Sequence, residues 1–247
     1  MGRYENPYQA YGTGAVPAAH AEVNARAEFI RKTYLNLGVA ILAFIGICAG
    51  MISSGAAASL VETVWQVPYG PILFFIGFIA AAWMCDRWAH RAVTLTQQYS
   101  ALGLYVVIES LFFAPMLYMI NYFVEPMSGK SIIGPAAIIT LVIFFGLTAI
   151  VFYTAKDFSW LRGILWVGSF AALGLLFAGW IFGFSLGIVF TVAMIALAAG
   201  YILYDTSNVM HHYPTTHHGA AALSLFASLA LLFWYVLRLV MYLQSSD

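Results

Sequence analysis

Charged side chains are scarce in this chain. Only 8% of its 247 residues are Asp, Glu, Lys or Arg, and 63% are hydrophobic, whereas a soluble domain carries about 25% charged residues. This balance excludes an ordinary soluble domain and indicates a polytopic membrane protein. The ten basic and ten acidic residues cancel, and no basic block is present, so we do not expect nucleic acid as a partner.

Cysteine and the common catalytic motifs are also rare or missing. Cys48 and Cys85 provide neither a disulfide framework nor a metal site, so we interpret both as small packing residues. The sequence has no G-x-S-x-G motif, no phosphate-binding glycine loop, and no lysine inside a predicted span that would form a Schiff base. Asp205 is the one aspartate well placed in a span, whereas an intramembrane aspartyl protease needs two. We therefore expect neither enzyme activity nor a cofactor.

What the chain has instead is a series of long apolar segments. Each is near the roughly 20 residues that cross a bilayer, although the second is shorter. Strand-like alternation is absent, so helices must satisfy the backbone hydrogen bonds. We predict an all-α bundle of seven spans over residues 29–247, with the sixth and seventh spans as a central hairpin, and a flexible tail over residues 1–28. The predicted spans are residues 34–54, 69–86, 99–122, 132–154, 160–181, 184–206 and 219–243.

Basic residues mark one side of the membrane. The opposite side has Lys130 alone in its connections, while the N-terminal side has seven basic residues near the span ends. By the positive-inside tendency the N-terminus is cytoplasmic and, with an odd number of spans, the C-terminus lies across the membrane. Short loops and the lack of a retention signal favour a bacterial inner membrane. The seven residues are Arg26, Arg31, Lys32, Arg87, Arg91, Lys156 and Arg162.

Glycine pairs offer possible sites of close helix contact. Gly46 with Gly50, and Gly183 with Gly187, have the four-residue spacing of small residues that lets membrane helices approach each other. The motif is weak because glycine is common in membrane helices.

Three ionisable residues fall inside apolar runs: Glu109 in the third span, Asp205 in the sixth and Arg238 in the seventh. A charge there costs at least about 2.5 kcal/mol and usually marks a functional site. If the last two spans form an antiparallel hairpin around Thr216, Asp205 and Ser228 lie level. Arg238 then lies about 15 Å farther along, which disfavours a salt bridge to Asp205.

Polar residues form a stripe on each helix of this hairpin. With Asp205, the sixth span has Tyr201, Asn208 and His212 at helical spacing, and the seventh has Ser224, Ser228 and Tyr235. The stripes are expected to face each other or a water-filled cleft. The alternative is that Asp205 is hydrated at the interface.

Glu109 is predicted at a depth near that of Asp205, so the two carboxyls can share one site. Deprotonation would then place like charges in a low dielectric and push the helices apart, which makes the pair a proton-dependent latch. The alternative for Glu109 is a protonated carboxyl that hydrogen-bonds a neighbouring helix.

Four histidines flank the turn between the last two spans. His211, His212, His217 and His218 offer four imidazoles within eight residues, enough to hold a divalent metal. Pro214 interrupts them, and they lack an i, i+4 pair on one helix. We favour a solvated, pH-responsive loop over a metal site.

Four sequence segments, taken in order, resemble those of the Bax inhibitor-1 family of seven-span membrane proteins, and the chain resembles a bacterial member of that family. They lie at the entry to the first span, in the connection between the fourth and fifth spans, at the end of the sixth span and in the seventh. In order they are Phe29–Leu35, Thr154–Gly163, Leu203–Thr206 and Ala222–Phe233.

The resemblance implies a pH-sensitive cation leak, chiefly for calcium, as in some members, or modulation of stress responses or of a membrane-bound protease, as in others. In the leak-type members, aspartates on the sixth and seventh helices sense pH. Asp205 matches the first, Ser228 stands at the second, and Leu231 stands at a neighbouring family asparagine. The family's basic residue near the end of the second helix corresponds to Arg87. We infer from depth alone that Glu109 supplies the missing acid.

We therefore expect a proton-linked cation pathway with Asp205 as sensor and possible calcium ligand, Glu109 as acidic partner and Ser228 as lining. Its expected partners are the bilayer, calcium or protons, and other membrane proteins. The alternative is a non-conducting regulator that acts through protein contacts. The possible supporting residues are Tyr201, Asn208, His212, Arg87 and Arg238.

Overall fold

The structure, a computed structural model, describes residues 16–92, 94–183 and 185–245. Residues 1–15 of the predicted tail and Phe184, at the predicted start of the sixth span, lie outside these ranges. The described residues form helices without a strand, and seven of the helices are long and apolar enough to cross a membrane. The predicted all-α membrane fold is confirmed.

Apart from the start of the first span, the helix bounds lie within about five residues of the prediction. The helices are α1 (Val23–Ser53), α2 (Ala56–Gln66), α3 (Gly70–Arg91), α4 (Leu95–Met119), α5 (Glu125–Ser128), α6 (Ile133–Thr154), α7 (Leu161–Phe182), α8 (Ile188–His211) and α9 (His218–Ser245). A π-helical turn, Ile120–Val124, joins α4 to α5. Helix α1 begins earlier than the predicted first span, so the charged segment before that span continues into it as one helix.

Local sequence signals account for several helix ends. Thr94 and Gln97 form a capping box at the start of α4, in which each side chain bonds the other residue's backbone N–H at 3.3 Å. Gly70 is the first residue of α3, and a side chain does not fit there because a Cβ would lie 1.8 Å from the Val64 carbonyl oxygen. Helix α6 ends with Thr154, and the residue after it, Ala155, has a positive φ of 48°.

The chain forms two compact units. The first contains the residues up to Pro126 and His212–Phe226, and the second contains Met127–His211 and the residues from Ala227. Helix α9 thus contributes its first turns to one unit and the remainder to the other.

Each unit has its own apolar core. In the first unit, Phe112 stacks on Phe78 with ring centroids 4.2 Å apart, and Phe44 of α1 meets Phe113 edge-on at 5.4 Å. In the second unit, the buried cluster joins α7, α8 and α9 through Ala172, Phe190, Met194 and Tyr235.

The glycines with tight contacts are not those that the spacing suggests. A Cβ at Gly46, Gly50, Gly183 or Gly187 would meet nothing within 4 Å. In the second unit, a Cβ at Gly168 of α7 would lie 2.8 Å from Leu197 of α8, and one at Gly200 of α8 would lie 2.9 Å from Leu165 of α7. The interpretation of the two glycine pairs as packing seams is wrong for the described structure.

Candidate functional site

Asp205 and Ser228 meet inside the second unit. The Asp205 side chain on α8 is buried, as is Ser228 on α9, and the Ser228 hydroxyl donates a hydrogen bond to Oδ2 of Asp205. The predicted level position of these two residues is confirmed. Asp205 is therefore buried against a neighbouring helix rather than hydrated at the surface.

The connection between α6 and α7 is fixed to α8 beside this pair. Ser207, two residues after Asp205, accepts a hydrogen bond from the Phe158 backbone N–H at 2.9 Å and donates one to Asp157 Oδ1 at 3.4 Å. Asp157 also accepts from the Ser159 N–H at 2.9 Å. The sequence of this connection resembles that of the family, but sequence reasoning missed its contact with α8, the helix that holds Asp205.

Thr206 adds polarity next to Asp205. Its side chain is fully buried, and the hydroxyl has no hydrogen-bond partner among the described residues. Helix α6 packs on α8, and its Thr148 hydroxyl is likewise buried without a hydrogen-bond partner among the described residues. A buried hydroxyl without a partner costs about 1–3 kcal/mol, so both groups retain hydrogen-bonding capacity for water or an ion.

The predicted polar stripe on α8 divides among different neighbours. Tyr201 points to α7, where its hydroxyl lies 2.8 Å from that of Ser169. Asn208 is buried, and His212 belongs to the first unit. The stripe on α9 also divides, since Tyr235 joins the apolar cluster of the second unit. The Asp205 and Ser228 side chains of the two stripes meet in the second unit as predicted.

Arg238 lies away from Asp205, as expected. Its guanidinium donates to the Leu186 carbonyl oxygen at 2.7 Å, just before α8 begins. Arg87, on α3 in the first unit, lies with its guanidinium carbon 4.3 Å from the ring centroid of Trp83, one turn earlier.

Glu109 is a buried carboxyl of the first unit. Only 4% of its surface is exposed, and it hydrogen-bonds with Tyr105, one turn earlier on α4. Cys48 of α1 donates to the carbonyl oxygen of the next residue, Ser110, at 3.9 Å. Glu109 thus has a hydrogen-bond partner on its own helix. Since Asp205 belongs to the second unit, a site shared by the two acids stays a prediction.

The turn histidines are less solvated than predicted. His217 and His218 are buried. The His217 ring lies 3.1 Å from the Thr216 hydroxyl, and the His218 ring lies 3.2 Å from the Tyr99 hydroxyl. Burial, then the nearby His90 and His218, lower the pKa of His217. Among the residues that the structure describes, no group of three His, Cys, Asp or Glu side chains could hold a metal ion.

Sequence reasoning also missed His90. Its imidazole lies 2.8 Å from the Tyr213 hydroxyl and 3.3 Å from the Asp86 carboxylate. The spacing of Asp86 and His90 on one helix face is the local signal that could have drawn attention to it.

These observations define an all-α, polytopic membrane protein whose last two spans hold a buried carboxylate. Over residues 26–246 the chain matches the family described as "Inhibitor of apoptosis-promoting Bax1". The chain belongs to this Bax inhibitor family.

Similar proteins occur in a yeast, a mammal and a bacterium. The chain is 27% identical to Bax inhibitor 1 of Schizosaccharomyces pombe, over 98% of this chain and 87% of the relative. It is 26% identical to Protein lifeguard 4 of Mus musculus, over 89% and 87%. An uncharacterized protein of Pseudomonas aeruginosa is 27% identical, over 94% of this chain and 95% of that protein.

Proposed function

We propose that this protein is a pH-sensitive cation leak, chiefly for calcium, gated by the protonation of Asp205. The observation that carries the proposal is the burial of this carboxyl against Ser228 in the second unit. An acid in a span costs at least about 2.5 kcal/mol, which favours a functional reason for its presence.

The two protonation states of Asp205 differ in their need for solvent. A neutral carboxyl exchanges a hydrogen bond with Ser228 and leaves α8 and α9 packed. A carboxylate carries a full charge, and burying that charge in a span is costly. The charged form is therefore better stabilised when water or a cation enters beside α8, and this entry is the proposed opening step.

The oxygen atoms around Asp205 suit a hard cation. Calcium prefers oxygen ligands, carboxylates among them, and the Asp205 carboxyl is hydrogen-bonded to a further oxygen, the Ser228 hydroxyl. The chain has one acid at this level where the family resemblance implies two. We therefore expect the pH response to follow a single titrating carboxyl.

Flux through liposomes tests the proposal. Purified protein in calcium-loaded vesicles should release calcium faster as pH rises through the titration of Asp205. Asp205→Asn should reduce the flux to the level of empty vesicles and remove its pH dependence. Glu62→Gln is the matched control, because Glu62 is an exposed carboxylate on α2 and its change to an amide should leave the flux unaltered.

A second variant tests the single-acid mechanism. Ser228→Asp would restore an acid at the position where the resemblance implies one, and two carboxyls in contact titrate in two steps. The pH profile of the flux should broaden or acquire a second step. An unchanged profile would contradict the assignment of Asp205 as the sensor.

The competing function is a non-conducting regulator that binds other membrane proteins. The family match is equally compatible with it. Correctly folded protein that releases no calcium at any pH would exclude the leak and favour the regulator.

A further inference from the structure

A second polar cluster lies entirely in the first unit. It joins α3, the turn after α8 and the first turns of α9. His90 Nε2 lies 2.8 Å from the Tyr213 hydroxyl, which lies 2.9 Å from the Ser224 hydroxyl. Ser224 is also 3.4 Å from His90 Nε2. The other ring nitrogen of His90, Nδ1, lies 2.8 Å from the Asp86 carbonyl oxygen and 3.3 Å from its carboxylate.

The acceptors around Nδ1 determine where the histidine proton sits. A carbonyl oxygen and a carboxylate can only accept hydrogen bonds, so Nδ1 carries a hydrogen whether the ring is neutral or charged. Nε2 of the neutral ring is then a bare acceptor. The Tyr213 hydroxyl, the nearer of the two hydroxyls beside Nε2, donates to it, and the Ser224 hydroxyl can donate to Tyr213 in turn.

Protonation of His90 reverses this chain. A protonated Nε2 becomes a donor, and the Tyr213 oxygen must accept from it. The Tyr213 hydrogen then turns to Ser224, and the Ser224 hydroxyl turns to the Ala220 carbonyl oxygen, 3.4 Å away. Both states satisfy Nε2 and the Tyr213 hydroxyl, which is the arrangement that allows a proton to be taken up without leaving a buried donor unpaired.

One side of the cluster, at Asp86 and His90, is accessible for proton exchange, and the other side, at Tyr213, is buried and fixed by backbone hydrogen bonds. The Asp86 side chain is 46% exposed and that of His90 is 23% exposed, whereas Tyr213 is buried. The Ala18 N–H donates to the Tyr213 carbonyl oxygen at 2.9 Å, and the Thr215 N–H donates to the Val16 carbonyl oxygen at 3.4 Å. Residues 16–18 thus fix the turn that positions the Tyr213 hydroxyl.

Other titratable groups approach the cluster from the neighbouring elements. His217, in the turn, is close enough to interact electrostatically with His90. Tyr105 of α4 interacts in the same way with Asp86 and with Cys85 of α3, and it hydrogen-bonds Glu109. Of these groups, the Asp86 carboxylate contacts His90 directly, at 3.3 Å.

We propose that Asp86, His90, Tyr213 and Ser224 form a proton-binding relay in the first unit, separate from Asp205. Its ligand is a single proton, taken up at His90 Nε2. Uptake reverses the hydrogen bonds that connect α3, the turn and α9. The proposal goes beyond the leak function, and its test involves no ion flux.

Nitrogen NMR of the histidine rings tests the relay. Full-length protein labelled with ¹⁵N-histidine in lipid nanodiscs would be titrated, with His90→Gln used to identify the His90 signals. At high pH the wild-type ring should have hydrogen on Nδ1 and a bare Nε2. The opposite tautomer would overturn the proposal without any further variant.

Ser224→Ala tests the reversal. Without the Ser224 oxygen, the Tyr213 hydrogen loses its Ser224 acceptor in the protonated state, while the neutral state loses only a donor to Tyr213. The midpoint of the His90 titration should therefore move to lower pH by about one unit. Ser169→Ala is the matched control, because it removes a serine hydroxyl paired to a tyrosine, Tyr201, in the second unit. A midpoint that is unchanged in Ser224→Ala, or that moves equally in both variants, would overturn the relay.

Discussion

Burial determines how His217, in the turn after α8, responds to pH. His217 is enclosed and lies near two other imidazoles, so a positive charge on it is costly. Its pKa is lowered from the ordinary value of 6.5, first by burial and then by His90 and His218. The folded protein therefore keeps His217 neutral at a pH at which the unfolded chain has already bound a proton there.

This difference predicts a loss of stability in acid. As pH falls below the ordinary value of 6.5, the unfolded state takes up the proton first, and the free energy of unfolding decreases until the folded-state pKa is passed. His217→Gln removes this contribution. The melting temperature of the variant, measured between about pH 7.5 and about pH 5.5, should fall less on acidification than that of the wild type.

His20→Gln serves as the control for this measurement. His20 is exposed, so the same substitution there should leave the pH dependence of melting unaltered. If the His217 variant kept the full acid sensitivity of the wild type, the sensitivity would have to come from another group.

At the scale of elements, Gln98 of α4 contacts the start of α9 through two hydrogen bonds. Gln98 accepts from the Gly219 N–H at 3.2 Å and donates to the Thr216 carbonyl oxygen at 3.2 Å. The absence of a side chain at residue 219 allows this approach. A Cβ there would lie 2.8 Å from the Gln98 Cβ and 3.3 Å from its backbone carbon.

Gly219→Ala should therefore push α9 away from α4. The neighbouring atoms are close to the backbone and cannot simply rotate aside, so we expect a destabilisation of about 1–3 kcal/mol, as for other overpacked sites. Thermal unfolding of the purified protein in detergent would measure it. Gly46→Ala is the control, since a Cβ at Gly46 meets nothing within 4 Å and alanine favours a helix over glycine. Equal stabilities of the two variants would contradict the tight α4 and α9 contact.

At the scale of the whole molecule, the number of spans and the basic residues between them predict the orientation. The described residues contain seven helices long enough to cross a membrane. With the positive-inside tendency, the N-terminus should be cytoplasmic and the C-terminus should lie on the other side.

Reporter fusions at the two ends of the chain would test this orientation. A reporter active only in the cytoplasm should work at the N-terminal end and fail at the C-terminal end. Activity at both ends would mean that one of the seven helices does not cross the bilayer. Moving basic residues such as Arg87 and Arg91 to the opposite connections should weaken the preference, because their charge is what sets it.

The sequence by itself determined the fold class and the level of the buried acid. A bilayer imposes a nearly constant span length and requires helical hydrogen bonding, so hydropathy alone predicts seven helices. Counting residues from the turn also placed Asp205 opposite Ser228, because the rise of a helix is constant.

Only the tertiary structure decided which side chains meet across helices that are distant in the chain. Spacing along α8 did not reveal that Tyr201 turns to Ser169, that His217 is buried, or that His90 meets Tyr213 and Ser224. It also suggested the wrong packing glycines. The physical reason is that periodicity defines faces of one helix, while the neighbour that covers each face depends on how all the helices pack.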